Sequence, residues 1–343
     1  MFNDSNFLQD FFLQIANQNQ QQHFVFIVAK PFSTTQKNIT TIVVKQPVSN
    51  MLALRFFYDI KLPIILKKYK PNILVQLNGF CSLSTSIPQL LLLLNTTQPI
   101  SKKRITKATH IITNALATKN NIAESYQIDT NKIDVVYGAA QPLFKPLNAD
   151  EILQTKDGFA DGREYFLFVS DKDSSNNIIN VLKAFSLFKK WQRSNMKLVV
   201  VGGLDENIAI KIATYKYKDD VVLLGNVAAT ILPKIMASAY CVLYPTLTEN
   251  FAIPILEAMQ SGVPIIASNL SGIKEVGGNA IFYINPNSSD EMAEQMQLIY
   301  KDEILRSKLI KDGLLQVTKF NHINTAILID KVIAKFSHPN VSD

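Results

Sequence analysis

Two carboxylates with seven residues between them, Glu249 and Glu257, stand in the stretch TENFAIPILEAMQSGVPIIAS, residues 248 to 268. The spacing predicts a loop, a helix, a turn and a strand. Pro254 sits where a first helical position would fall, and its missing N–H costs nothing there. Ile255, Leu256, Ala258 and Met259 then follow at helical intervals until Gly262 and Pro264 stop the helix. Glu249 therefore lies in the loop and Glu257 about one turn into the helix, so both border the space in front of the helix start. Between them the backbone N–H groups of Asn250, Phe251 and Ala252, together with the positive end of the helix, suit a phosphate or diphosphate. A carboxylate beside such an anion can accept from a ribose or sugar hydroxyl. Carboxylates at a helix start also favour the dipole without any ligand, and that alternative stays open.

The elements that must position this pair are a preceding strand, AYCVLYP (Ala239 to Pro245), and a following one, PIIAS. Both are short apolar runs of the kind buried on two faces of a parallel sheet. Upstream, YFLFVS, KLVVVGG and DVVLLG repeat the pattern, separated by helices, one of which carries Ile178, Val181, Leu182, Phe185 and Phe188. A helix over Leu232 to Ala239, the strand AIFYI, a helix over SSDEMAEQMQLIY capped by Ser288 or Ser289, and a last helix near Asn321 to Phe336 complete the half. Gly202 and Gly203 read as a turn after a strand, since no third glycine completes a dinucleotide fingerprint. Trp191 falls on the apolar face of its helix and is expected in the core rather than against a sugar. The first half contains strand candidates HFVFIVAK, ITTIVVKQ, NILVQL, IPQLLLLL, ATHIITN and KIDVVY. It also carries helices over Phe7 to Ala16, Met51 to Lys70 with an interruption at Pro63, and Lys119 to Tyr126. A linker is expected to follow Asp134 to Leu147 and to run through the polar TKDGFADGR segment.

The signature resembles the donor site of the family 4 retaining glycosyltransferases, E-G-F-G-x-P-x-x-E-A-M-x-x-G-x-P-V-V-A-S, which stands here as ENFAIPILEAMQSGVPIIAS. NLSGIKEVGGNAIFYINP (Asn269 to Pro286) and TNKIDVVYGAAQPLFKPL (Thr130 to Leu147) match the same family, so the similarity covers most of the chain. It implies the GT-B architecture: α/β, with two Rossmann-like domains of parallel sheet facing a cleft. Residues 1–147 would form the acceptor-side domain and 148–343 the donor domain, with the terminal helix packing back on the first. Glu257 would hold the donor ribose and Glu249 would face the donor sugar. Asn250, Phe251, Ala252 and Ile253, with Asn226 and Val227 after the DVVLLG strand, would line the donor. The resemblance implies a UDP- or GDP-sugar donor, a glycan or lipid acceptor, polysaccharide biosynthesis, and neither metal nor other cofactor.

The chain departs from the family in three places. A diphosphate clamp in the pattern F-V-G-x-x-x-x-R-K-N stands here as FVSDKDSSNN, with Ser175 and Asn176 at the positions of the basic pair, Asp171 and Asp173 adding negative charge, and Lys172 displaced. Losing one positioned electrostatic donor typically costs ~3 kcal/mol, about a hundredfold in rate. The family's first strand and Gly-rich loop precede the first helix and are expected to be missing here. After LLLLN the chain passes almost directly to TTQPISKKR, where the family continues into a His-Asp segment, and none of His23, His110, His322 or His338 stands at that position. Two functions remain open: a working retaining hexosyltransferase, and an inactive homologue serving as a binding or partner subunit. A nucleotide-sugar epimerase on the same architecture is disfavoured by the missing His and basic residues.

Composition bounds these alternatives. The 343 residues allow two domains, and 47% hydrophobic with 18% charged residues describe a globular chain. Leu90 to Leu94 is far shorter than the ~20 residues of a membrane span. The opening MFNDSNFLQDFF lacks the basic start of a secretory signal, so a cytoplasmic location is expected, with the inner membrane face as a peripheral variant. Cys81 and Cys241 are expected to be buried free thiols. Of the net charge of +7, residues 1 to 147 carry fifteen Lys and Arg against six Asp and Glu, or +9, and the remainder twenty against twenty-two, or −2. LKKYK (Leu66 to Lys70) and SKKR (Ser101 to Arg104) suit either an anionic membrane surface or a solvated face. Basic residues are not interleaved with aromatics as nucleic-acid binding requires.

Overall fold

The computed structural model describes residues 12–13, 15–44, 51–77, 79–93, 101–170, 177–249, 251–320 and 322–337. The chain divides into two units, the first made of residues 1–114, 119–136 and 323–343 and the second of 115–118 and 137–322. The boundary thus falls at Val136 and Tyr137, ahead of the expected Leu147, and the C-terminal segment belongs to the first unit. Residues 137–147 change sides because they pack on the second core: Phe144 is buried there, Tyr137 stacks on Phe251 at 5.9 Å, and Gln260 Nε2 donates to the carbonyls of Gln141 (2.8 Å) and Phe144 (2.6 Å).

In the first unit, β1 (Phe24–Val28) pairs in parallel with β2 (Ile39–Val43). A four-stranded parallel sheet runs in the order β3 (Leu74–Gln76), β4 (Gln89–Leu93), β5 (His110–Thr113) and β6 (Ile133–Val135). Leu90, Leu92 and Ile112 face one apolar cluster, which includes Ile329, Val332 and Ile333 of the last helix, and Leu91, Leu93 and Ile111 face another. This alternation explains why β4 reads as an unbroken leucine run: both of its faces are covered. The helix predicted over Phe7 to Ala16 begins outside the described residues. Arg104 of the SKKR cluster is neither solvated nor open to a surface. It is buried, bridges to Asp59 at 2.6 Å, donates to the Cys81 carbonyl at 2.7 Å and lies over the Phe80 ring. Burial alone would raise the Asp59 pKa, but the Arg104 and Leu83 hydrogen bonds and the charges of Arg104 and Arg55 hold it below the usual range. Cys81 and Cys241 are free and buried, and burial pushes the Cys81 thiol up to about 12.

The second unit carries a six-stranded parallel sheet from β7 (Tyr165–Val169), β8 (Lys197–Val201), β9 (Val221–Gly225), β10 (Cys241–Tyr244), β11 (Ile265–Ser268) and β12 (Phe282–Ile284). Their spatial order is β12-β11-β10-β7-β8-β9. The chain starts at the centre, runs out through β8 and β9, and returns to the other side of β7 with β10. This is the Rossmann order, and its reversal between β7 and β10 opens a crevice at the carboxyl ends of those two strands. Alternate strand residues serve the two faces. Leu167, Val199, Val242 and Ile265 meet the helices Leu232–Ala237, Ile253–Gln260 and Ser271–Gly277, while Phe166, Leu198, Cys241 and Ile266 meet Ile178–Gln192 and Ser289–Lys301. Each such fully buried Leu, Ile or Phe contributes about 1.5–3 kcal/mol.

Two local expectations are corrected in this unit. The TKDGFADGR segment is no linker: Ala149–Ala160 is a helix, opened by a capping box in which Asn148 accepts from the Glu151 amide and Glu151 accepts from the Asn148 amide. It is closed by Asp161 and Gly162 at positive φ. The buried Thr155 and Ala160 and the core contact of Phe159 override the weak propensity of Gly158. Trp191 is 40% exposed rather than in the core. Phe185 and Phe188 already fill the buried face of its helix, and Trp191 falls in the last turn, two residues before Arg193 ends it in the left-handed region.

Candidate functional site

The loop after β10 carries the first carboxylate to the crevice and is pinned from three directions. Ser268 Oγ, at the end of β11, donates to the Thr246 carbonyl at 2.6 Å, and Thr246 Oγ1 donates to the Thr248 carbonyl at 2.9 Å. Asn177, buried at the start of the helix after β7, donates through Nδ2 to the Pro245 carbonyl and to the Pro286 carbonyl, the latter at 3.2 Å. One amide group thus joins the carboxyl ends of three strand-loop connections. Its place as the second Asn of an Asn-Asn pair before a helix was the available sequence signal, though nothing in the spacing showed which carbonyls it would meet.

Glu249 is partly buried, and its carboxylate accepts from the Tyr244 hydroxyl at the end of β10 and from the Phe251 amide at 3.1 Å. The Phe251 amide, offered above to an anion, is therefore committed to Glu249. The Ile253 and Ile255 amides are engaged as well, by the carbonyls of Phe251 and Ala252 at 3.0 and 3.1 Å. Ala252 is the N-cap of Ile253–Gln260 and supplies no side-chain cap, and Pro254 stands second in the helix rather than first. The Phe251 ring turns inward onto Tyr137 and Phe320, and Ile253 packs on the same core, so both contribute backbone rather than side chain to the crevice. Gly138 allows this packing, because a Cβ there would stand 2.8 Å from Ile253 Cδ1 and 3.0 Å from Phe251 Cε1. Asn250, Ser175 and Asn176 lie outside the described residues.

Glu257 is the electrostatic outlier of the site. It is partly buried one turn into the helix, its carboxyl makes no hydrogen bond or ion pair with a described residue, and burial raises its pKa to about 8. A carboxyl group taken out of water without a partner marks a place where a hydroxyl donor from outside the chain would be favourable.

Two further features frame the crevice. After β8, Gly202 has φ +105° and donates its N–H to the Gly225 carbonyl at 2.7 Å. A Cβ there would lie 2.0 Å from the Ser170 carbonyl oxygen. The glycine, expected as a plain turn, is where the backbone after β7 presses on the backbone after β8. Asn226 and Val227 follow β9 at the same carboxyl edge, Asn226 exposed and Val227 packed on the core, two strands removed from β7. The described contacts do not bring them to Glu249 or Glu257. Among the described residues no group of three or more His, Cys, Asp and Glu is placed to hold a metal ion.

Residues 150–315 match the family model of glycosyl transferases group 1. This segment belongs to that family. The group 1 segment contains the entire crevice, from β7 through the Ile253–Gln260 helix. The chain is 29% identical over 54% of its length to the O-antigen chain mannosyltransferase RfbU of Salmonella typhimurium, 49% of which is covered. It spans about half the length of the curated relatives it matches. A solved glycosyltransferase of Rickettsia africae superposes with a TM-score of 0.79 at 17% identity, covering 98% of this chain and 96% of that one. Alr3699/HepE of Anabaena, solved in complex with UDP-glucose, gives 0.71 at 16% identity with 95% of each chain covered. At those identities the structural likeness shows a shared fold, that of the GT-B glycosyltransferases. No described helix of the chain carrying the group 1 segment is long and apolar enough to cross a membrane.

Proposed function

We propose that the chain transfers a hexosyl group, with retention, from a UDP- or GDP-sugar to a glycan or lipid-linked acceptor. The observation that carries this is Glu257, a partly buried carboxyl with no partner among the described residues, on the helix that follows β10 in a group 1 segment. In this proposal Glu257 accepts from the ribose hydroxyls, which supply the donors it lacks. The diphosphate lies before the Ile253–Gln260 helix start, where the dipole favours negative charge. Glu249, held by the Tyr244 hydroxyl, faces the sugar as positive charge develops at its anomeric carbon. No metal is required for these steps. The mannosyltransferase relative makes mannose the first sugar to test. A second function, nucleotide binding without transfer, is favoured by Ser175 and Asn176 at the positions of the basic pair.

Calorimetric titration with UDP, GDP and their sugars, beside Glu257→Ala, tests the site. Saturable binding that the variant loses supports a live donor site. Release of free nucleotide on adding acceptor then separates transfer from binding alone. No heat at millimolar nucleotide would overturn both functions.

A further inference from the structure

The Met51–Tyr69 stretch holds a feature that sugar transfer does not use. It is built as an α-helix over Met51–Phe56, a π-turn over Phe57–Lys61 and a second α-helix over Leu62–Tyr69. Pro63 explains the wide turn: it has no N–H to give and its ring crowds the preceding turn, so the Leu62 amide reaches back to the Phe57 carbonyl. One face is spent on the core, with Tyr58, Leu62 and Leu66 packed against Ile27, Leu74 and Ile87. The other face is also apolar. Phe56, Ile60 and Ile64 follow at intervals of four and are 56%, 51% and 65% exposed. On a straight α-helix residues four apart drift by roughly 40°, always in the same sense. The π-turn takes up an extra residue between Phe56 and Ile64 and turns the drift back, so the three side chains stay in one ridge.

The ridge is flanked by charge of one sign. Arg55, Lys61, Lys67, Lys68 and Lys70 are exposed, and none forms an ion pair with a described residue. The one acid of the stretch, Asp59, is consumed by the buried Arg104. An apolar ridge between unpaired bases, on a helix fixed to the core by its opposite face, is complementary to an anionic bilayer: the apolar side chains enter the acyl boundary while the bases meet lipid phosphates. A protein partner would have to match the same ridge with acids, and a second copy of this chain would bring like charges together.

We infer that the Met51–Lys70 stretch docks the chain on an anionic membrane surface through Phe56, Ile60 and Ile64. The docking concerns where the chain works and holds whether or not it transfers sugar. It is tested by sedimentation of the full chain with vesicles of phosphatidylglycerol and phosphatidylethanolamine, beside neutral phosphatidylcholine vesicles. Binding to the anionic vesicles alone is expected. It should fall about tenfold or more in Phe56→Ser/Ile60→Ser/Ile64→Ser and roughly fivefold per charge in Lys67→Glu/Lys68→Glu. Because these side chains are exposed, far-ultraviolet dichroism and nucleotide titration should match the parent. An environment-sensitive dye on Ile60→Cys should shift to the blue on anionic vesicles, while the same dye on Leu315→Cys should not. Absence of vesicle binding, binding unchanged in the triple variant, or a vesicle-free dimer that the triple variant dissociates would each overturn the assignment.

Discussion

Glu257 combines the chemistry of the site with a measurable effect on stability. An unburied glutamic acid titrates near ~4.3, and burial moves this one to about 8. The folded chain therefore holds its proton more tightly than the unfolded chain does. The stability this group permits is fully present below the unfolded value and is lost as the pH rises through the folded one, at about 1.4 kcal/mol per unit across that window. Denaturant titration of Glu257→Gln should show a flatter stability profile between roughly pH 4.5 and 8 than the parent. Identical profiles would mean that the carboxyl is solvated after all. Bound nucleotide should shrink the same slope in the parent, because ribose hydroxyls then satisfy the carboxylate. That the two glutamates lie at the front of a helix was legible in their spacing. That Glu249 would take the Phe251 amide for itself was not, because an i to i+2 side-chain bond depends on loop dihedrals.

At the scale of elements, the crevice is shaped by backbones as much as by side chains. Gly202 and Gly203 are neighbours of identical type, yet a Cβ at Gly202 collides with the Ser170 carbonyl while one at Gly203 meets nothing within 4 Å. Gly202→Ala, at φ +105° with that collision, should cost more than about 2 kcal/mol and weaken nucleotide binding. Gly203→Ala should stay within about 0.5 kcal/mol of the parent. Equal effects in thermal denaturation would show that the connections after β7 and β8 are not tightly apposed. Most strands were visible as apolar runs, and helices such as Ile178–Gln192 as 3.6-residue periodicity. The Ala149–Ala160 helix was hidden by its glycine and charges, and its capping box outweighs them. Glu303–Val317, absent from the sequence expectations, carries little periodic signal because only Leu309, Gly313 and Val317 are buried.

Over the whole molecule the uneven charge gives the two proposed activities different salt responses. The five bases beside the exposed ridge lie in the first unit, whereas the crevice with Glu249 and Glu257 lies in the second. Raising sodium chloride from about 50 to 500 mM shortens the screening length severalfold and should strip the chain from anionic vesicles. Nucleotide binding, which rests on hydrogen bonds at a desolvated carboxyl, should change by less than about threefold under the same conditions. Parallel loss of both would place the nucleotide and the vesicle on one basic surface instead.

The amino-acid sequence by itself determined the alternation of strand and helix, the burial of parallel strands on two faces, the position of the carboxylate pair at a helix start, and the excess of bases in the first half. These are properties of local spacing and composition, which need no knowledge of distant partners. Only the tertiary structure decided that β10 returns beside β7, which creates the crevice, and that Asn177 ties Pro245 to Pro286 across it. The same holds for the basic clusters. Arg104 and Lys67 sit in similar runs, but Asp59, forty-five positions before Arg104, draws one inward while Lys67 stays in water. Pairings over such separations follow from packing, which no periodicity encodes.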